Sequence, residues 1–190
     1  MKATISILIL VFTLNLSIGQ SKPKKTFTKE EEKALVKRLK EKDKVERAAR
    51  KELKGTTLSA LKLEDLNGNI HTLESLKGKV VLMNFWFIHC KPCVAEIPDL
   101  NDLKQKFKGK DVVFLAVALD SNKSLETFLE THEFDFTIIP RGSVLARDLR
   151  IPYYPYNVIL DKTGKLHYVS GVLSLNIMNR LKRKINGLLK

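Results

Sequence analysis

Val80-Val81-Leu82-Met83-Asn84-Phe85-Trp86-Phe87 runs almost without a polar break toward Cys90-Lys91-Pro92-Cys93. Val94, Ile97, Leu100, Leu103 and Phe107 follow at three- or four-residue spacing. Such an apolar run suits a central strand covered on both faces. The spacing beyond it suits a helix with one buried face. The stretch reads as a strand, a short turn and a helix that begins at the cysteines. Pro98 removes a hydrogen-bond donor and is expected to kink the helix rather than end it, because the apolar spacing continues. Cys90 and Cys93 are the two cysteines of the chain. They are close enough to close a small disulfide ring. The first also meets the unpaired N–H groups of the helix start, whose field favours a thiolate. An inert structural bridge stays open at this point, as does a metal site completed by histidines. A four-cysteine metal site within one chain is excluded by count.

The chain has 190 residues, 44% of them hydrophobic, enough for one ordinary domain with appendages. The formal charge of +13 suggests an acidic partner, an acidic surface or a nucleic acid. The charge is uneven: residues 22–54 hold 14 of the 34 Lys/Arg and 7 of the 21 Asp/Glu. That unevenness argues against nucleic acid. After Met1-Lys2, Ala3 to Ile18 is almost entirely apolar. Its length fits a secretory signal better than a full membrane span. Ser17-Ile18-Gly19 offers small residues for cleavage before Gln20, so residues 1–19 read as a signal peptide, with an uncleaved anchor as the rival. The segment has no cysteine, which excludes a lipoprotein signal. Either export reading places the dithiol outside the cytoplasm.

Residues 20–55 read as a charged linker and helix. Thr28 fits an N-cap with Glu31 at the capping-box position. Leu35, Leu39, Val45, Ala49 and Leu53 form an incomplete apolar stripe. Asp43 with Arg47 and Glu46 with Arg50 are favourable four-residue pairs. The segment 28–53 is expected to be a mostly exposed spacer or weak docking arm, ended by Gly55. Residues 56–190 read as one domain. A short strand and the turn Asn67-Gly68 precede the central strand. Val112 to Leu119 forms the next strand, Ser124 to Glu133 a helix, Phe136 to Ile139 a strand and Val144 to Leu149 a helix. Ile151-Pro152-Tyr153-Tyr154-Pro155-Tyr156 is a constrained loop. Asn157 to Leu160, the turn Asp161 to Gly164 and Lys165 to Val169 make a hairpin, and Leu175 to Leu189 a last helix. The fold class is α/β, a mixed sheet with helices on both faces, preceded by a charged N-terminal helix.

From Leu58 onward the sequence resembles the thioredoxin superfamily, and within it the exported TlpA/ResA-like thiol–disulfide oxidoreductases. Lys79 to Trp86 looks like the family's central strand and Cys90-Lys91-Pro92-Cys93 like its redox motif. Glu96 and Pro98 match the continuation C-x-x-E-x-P. Tyr154-Pro155 matches the loop whose proline is cis and faces the redox pair, and Asp161 to Gly164 matches the hairpin after it. The chain departs from the family at His89, usually tryptophan, and at Tyr156, usually threonine or another small residue. These departures leave the dithiol chemistry intact and bear on the partner surface.

The resemblance implies a thioredoxin-like domain that reduces protein disulfides in the cell envelope or periplasm. It implies a membrane thiol–disulfide electron donor, no nucleic acid and no cofactor. Cys90 at the helix start is expected to attack and Cys93 to resolve. The resemblance places Glu96 near the pair, where it assists proton movement. Trp86, expected beneath the active turn, joins His89, Lys91, Pro92, Tyr154, Pro155 and Tyr156 in the expected substrate-binding set. Two alternatives remain. One is copper handling by the cysteines with His89, His132 or His167; the other is a redox-inactive binding module. Peroxidase chemistry lacks its P-x-x-x-T-x-x-C signature, since Met83 and Phe87 occupy the proline and threonine positions.

Overall fold

The computed structural model describes residues 28–58, 61–171 and 176–190. The expected leader over 1–19, the linker over 20–27 and Leu175 lie outside these residues, as do the side chains of Leu39, Glu46, Ala49 and Arg50.

The elements in order are α1 (Lys29–Leu53), β1 (Lys62–Glu64), β2 (Ile70–Thr72), α2 (Leu73–Leu76), β3 (Val80–Trp86) and α3 (Lys91–Gln105). They continue with β4 (Val112–Ala118), α4 (Asn122–Leu129), β5 (Thr137–Ile139), α5 (Ser143–Asp148), β6 (Tyr156–Leu160), β7 (Leu166–Gly171) and α6 (Ile177–Leu189). Among the described residues, the main sheet has the order β5-β4-β3-β6-β7. β3 runs parallel to β4 and antiparallel to β6, so the sheet is mixed. The fold is thioredoxin-like.

The unbroken apolar run of β3 has a direct cause. Val80, Leu82 and Trp86 face one buried cluster, with Ile97 and Leu100 of α3, Leu125 of α4 and Leu181 of α6. Val81, Met83 and Phe85 face the other, with Leu76 of α2 and Ala146 of α5. All seven β3 residues are buried. Alternating side chains therefore serve two cores, and neither face can be polar. The exception is Asn84. Its Nδ2 donates to Oδ1 of Asn157, its register partner on β6, at 3.1 Å. Both side chains are buried, and the pair satisfies an amide that would otherwise be costly to bury.

Thr28 and Glu31 form the expected capping box: Glu31 N–H donates to Thr28 Oγ1 and Thr28 N–H to the Glu31 carboxylate. Asp43 pairs with Arg47. Leu35, Val36 and Val45 are exposed, as a solvated helix allows. The last turn of α1 differs from the rest. Leu53 packs against the core cluster that includes Leu166 and Val169 of β7, and Glu52 pairs with Arg150. Gly55, at φ +82°, then turns the chain so that its N–H donates to Leu166 O at 2.7 Å. Leu166 N–H donates back to Thr56 O at 2.9 Å, which covers the outer edge of β7.

Several boundaries move from their sequence positions, two of them with a direct cause. α4 starts at Asn122, not Ser124, because Ser121 caps it through the Ser124 N–H. β6 starts at Tyr156, which pairs with Phe85.

Asn157→Leu would strand the Asn84 amide in a dry interior. The expected loss is about 1–3 kcal/mol of unfolding free energy. The double replacement Asn84→Leu/Asn157→Leu is expected to cost less than the sum of the single ones. Urea unfolding of the three variants checks this, and additive losses would show that the pair is not coupled.

A chain beginning at Lys51 retains the docked turn and the β7 edge contacts, and is expected to melt with the full chain. One beginning at Leu58 loses both and is expected to melt lower. Thermal unfolding followed by circular dichroism compares them; equal melting would mean that the docked turn contributes nothing.

Candidate active site

Strand β3 ends in the interior, and the chain must turn there to begin α3. Three backbone contacts fix the turn. Trp86 O accepts from Leu119 N–H at 3.1 Å, Cys90 N–H donates to Phe87 O at 3.0 Å, and Ile88 N–H donates to Asp120 Oδ2 at 2.9 Å. Asp120 stands just beyond the end of β4, beside the end of β3. Its carboxylate ties down the loop two residues before the first cysteine. Sequence reasoning assigned Asp120 only to a turn. The usable signal was its position past the carboxyl end of a buried parallel strand, where α/β sheets gather functional groups.

Cys90 is the N-cap of α3, and its Sγ accepts from Cys93 N–H at 3.3 Å. Lys91 and Pro92 open the helix, where a missing proline N–H leaves no intrahelical bond unmade. Cys90 and Cys93 are joined by a disulfide with a Cα–Cα distance of 5.2 Å. Cys90 is 6% exposed and Cys93 2%, so both residues are largely covered in the disulfide form. His89, Lys91 and Pro92 are exposed around the pair.

Tyr154–Pro155 is a cis peptide, as the resemblance implied. Because Tyr156 pairs with Phe85, Pro155 comes level with Trp86 at the end of β3. The Tyr154 ring meets the Phe87 ring edge-on at 5.5 Å, which joins the proline loop to the cysteine loop. Tyr154 is half-buried, and burial pushes its hydroxyl pKa up.

Three members of the expected substrate-binding set are buried, Pro155 among them. Trp86 is fully buried, with its ring 5.4 Å from Phe128 and 5.3 Å from Phe134. Tyr156 is 1% exposed and packs edge-on against Tyr153. Both lie within the strands whose faces carry the cores, so a partner chain cannot touch these side chains. They form the floor of the site.

Glu96 lies one turn beyond Cys93. Burial, with Asp99 adding a like charge, pushes its pKa up to about 7. Among the described residues its buried Oε2 has no hydrogen-bond partner. A carboxyl at that value exchanges a proton near neutral pH. His132 stacks on Phe128 with ring centres 3.9 Å apart, and His167 lies on β7. Among the described residues no three His, Cys, Asp or Glu side chains converge as metal ligands. The arrangement of a Cys-x-x-Cys disulfide at a helix start carries thiol–disulfide redox chemistry.

Comparison with known proteins agrees with this geometry. The AhpC/TSA family matches residues 55–169. Thiol-disulfide oxidoreductase ResA of Geobacillus kaustophilus is 34% identical over 117 residues, covering 60% of this chain and 67% of that protein. ResA of Bacillus cereus is 34% identical over 104 residues, covering 54% of this chain. This chain spans about 60% of the length of that Bacillus relative. The thioredoxin domain of a thiol-disulfide oxidoreductase from Bacteroides vulgatus superposes with a TM-score of 0.61 at 25% identity, covering 70% of this chain and 98% of that one.

The Glu96 carboxyl makes stability depend on pH with a definite sign. Its pKa rises from an ordinary 4.5 to about 7 on folding. Between these values the folded chain holds a proton that the unfolded chain has released, so stability falls as pH rises and stays lowered above the folded pKa. Glu96→Gln removes this dependence. In the oxidised protein, where the cysteines do not titrate, the variant is expected to gain on the order of 1–3 kcal/mol on wild type between acid and pH above 7. Melting temperatures across that range check it, and a constant difference would place the titration elsewhere.

Proposed function

Since the chain belongs to the AhpC/TSA family, we propose that it uses its thiol–disulfide couple to reduce protein disulfides in the cell envelope. The observation that carries this reading is the place of Cys90 Sγ, capping the 15-residue helix α3 and accepting the Cys93 N–H. An acceptor held there is stabilised more as an anion than as a neutral thiol.

In the reduced form, the Cys90 thiolate attacks one sulfur of a partner disulfide. A Cys90–partner bond forms, the partner S–S bond breaks, and the leaving thiolate takes a proton. Cys93 then gives up its proton, for which the Glu96 carboxylate is the nearby acceptor, and attacks Cys90 Sγ. The second partner thiol leaves. Two electrons pass to the partner, and Cys90–Cys93 closes into the disulfide. A dithiol donor at the membrane restores the reduced form by the same exchange in reverse.

The partner chain lies across His89, Lys91, Pro92 and Tyr154, with Pro155 shaping the groove. Lys91 adds positive potential near Cys90, which suits an acidic or neutral partner strand. The envelope assignment rests on the apolar segment Ala3 to Ile18 and on relatives named for thiol–disulfide exchange.

Alkylation of the reduced chain below neutral pH, followed by peptide mapping, tests the roles. Cys90 is expected to react faster than Cys93. Cys93→Ser is expected to accumulate mixed disulfides with envelope proteins, and Cys90→Ser is not. Faster labelling of Cys93 would reverse the assignment. A reduced, folded chain in which neither sulfur reacts would favour a redox-inactive binding module.

A further inference from the structure

The end of the sheet remote from the cysteines carries a separate concentration of charge. Leu166, at the start of β7, is level with Leu160 of β6 and through it with Val81 of β3, whereas the cysteines follow Trp86 at the other end. Next to that remote end, Lys54, His167, Tyr168, Arg180, Arg183 and Lys184 line a cavity of about 240 Å³. That is the volume of roughly eight waters at ~30 Å³ each, so a tetrahedral oxyanion fits with part of its hydration.

The cations arrive from three elements. Lys54 follows α1, His167 belongs to β7, and the remaining three belong to α6. Arg180 stands three residues before Arg183 and four before Lys184, so one helix face presents all three. Lys184 Nζ lies 5.6 Å from the Tyr168 ring centre. Among the described residues, Lys54, Arg180, Arg183 and Lys184 take part in no ion pair.

The neighbouring carboxylate is already engaged. Asp161 Oδ1 accepts from Thr163 N–H at 2.9 Å, Thr163 Oγ1 at 2.7 Å and Lys165 N–H at 3.1 Å, holding the β6–β7 turn. Burial lowers the His167 pKa, and Lys184 and Lys54 lower it further against the opposing pull of Asp161. Asp161 offsets part of the cationic field at His167, by more than Lys54 adds to it, and Lys184 outweighs each of them.

We propose that this cavity is a binding site for a phosphate group. Two guanidinium forks on one helix face suit an oxyanion that can be held by several oxygens at once. A phosphate monoester offers three terminal oxygens and nearly two negative charges, where a carboxylate offers two oxygens and one charge. The phosphate is either a free soluble one or the headgroup of an anionic lipid. The site is independent of the redox chemistry, because its residues lie at the other end of the sheet.

The test follows the His167 ring protons by NMR in the oxidised full chain while inorganic pyrophosphate is added, across the pH range in which histidine titrates. Saturable binding is expected, with the His167 titration midpoint moving up as the anion joins Lys54, Arg180, Arg183 and Lys184 around it. Arg180→Gln/Arg183→Gln is expected to weaken binding at least about tenfold. Lys54→Gln, on a different element, is expected to weaken it too, with thiol–disulfide exchange unchanged in both variants. A second arm measures attachment to vesicles of phosphatidylglycerol in phosphatidylcholine, comparing wild type with the double arginine variant so that any contribution of residues 3–18 is common to both. A difference there assigns the lipid headgroup as the source; pyrophosphate binding with no vesicle difference assigns a free phosphate. The proposal is overturned if neither ligand distinguishes wild type from the variants.

Discussion

Strand β3 is sealed on both faces, and the placement of the redox pair depends on that seal. Six of its seven side chains are apolar, and they alternate between the two cores; the seventh, Asn84, is neutralised by Asn157. A strand so enclosed cannot slip by one residue without exchanging its two faces and breaking the amide pair. Its end is therefore a fixed point. Leu119 N–H, Phe87 O and the Asp120 carboxylate then hold the turn that follows, and α3 starts with Cys90 as its cap. A redox sulfur gains from this rigidity, since the attacking atom is held where the helix N–H groups point.

The site sets two opposing electrostatic tendencies side by side. Around Cys90 the helix start and Lys91 favour negative charge on sulfur. One turn further along α3, burial and Asp99 disfavour the negative charge on Glu96. In the proposed exchange the first arrangement serves the nucleophile and the second the proton transfer. The helix carries both groups on one framework. Their separation is set by helical geometry rather than by a mobile loop.

Charge elsewhere on the molecule is arranged by element. The exposed turns of α1 mix lysines and arginines with a smaller number of acidic residues, some of them paired along the helix as Asp43 is with Arg47. α6 carries arginine and lysine with no acidic residue between Ile177 and Leu189, and its buried Leu181 and Ile185 fix which way the cations face. The docked end of α1 brings Lys54 to the same place. A high net charge alone would spread over the surface; here the packing of α6 beside β7 gathers part of it into one cavity.

The local features of this protein were legible in its sequence because their causes are local. The apolar run of β3, the stripe of α3, the capping box of Thr28 and Glu31 and the turn at Asn67-Gly68 each arise from neighbours within a few residues. So does the adjacency of Cys90 to a helix start. The features that remained hidden join distant parts of the chain. Asn84 and Asn157 are 73 residues apart, and Ile88 and Asp120 are 32 apart. The burial of Tyr156 follows from the layers stacked on the sheet, and Glu96 acquires its raised pKa only when the domain excludes water around it. The sequence by itself determined which segments become strand and helix and which two sulfurs meet, since backbone propensity and a three-residue spacing suffice for both. Only the tertiary structure decided which side chains reach solvent and which charges lose it, because solvation is a property of the packed assembly and not of any segment alone.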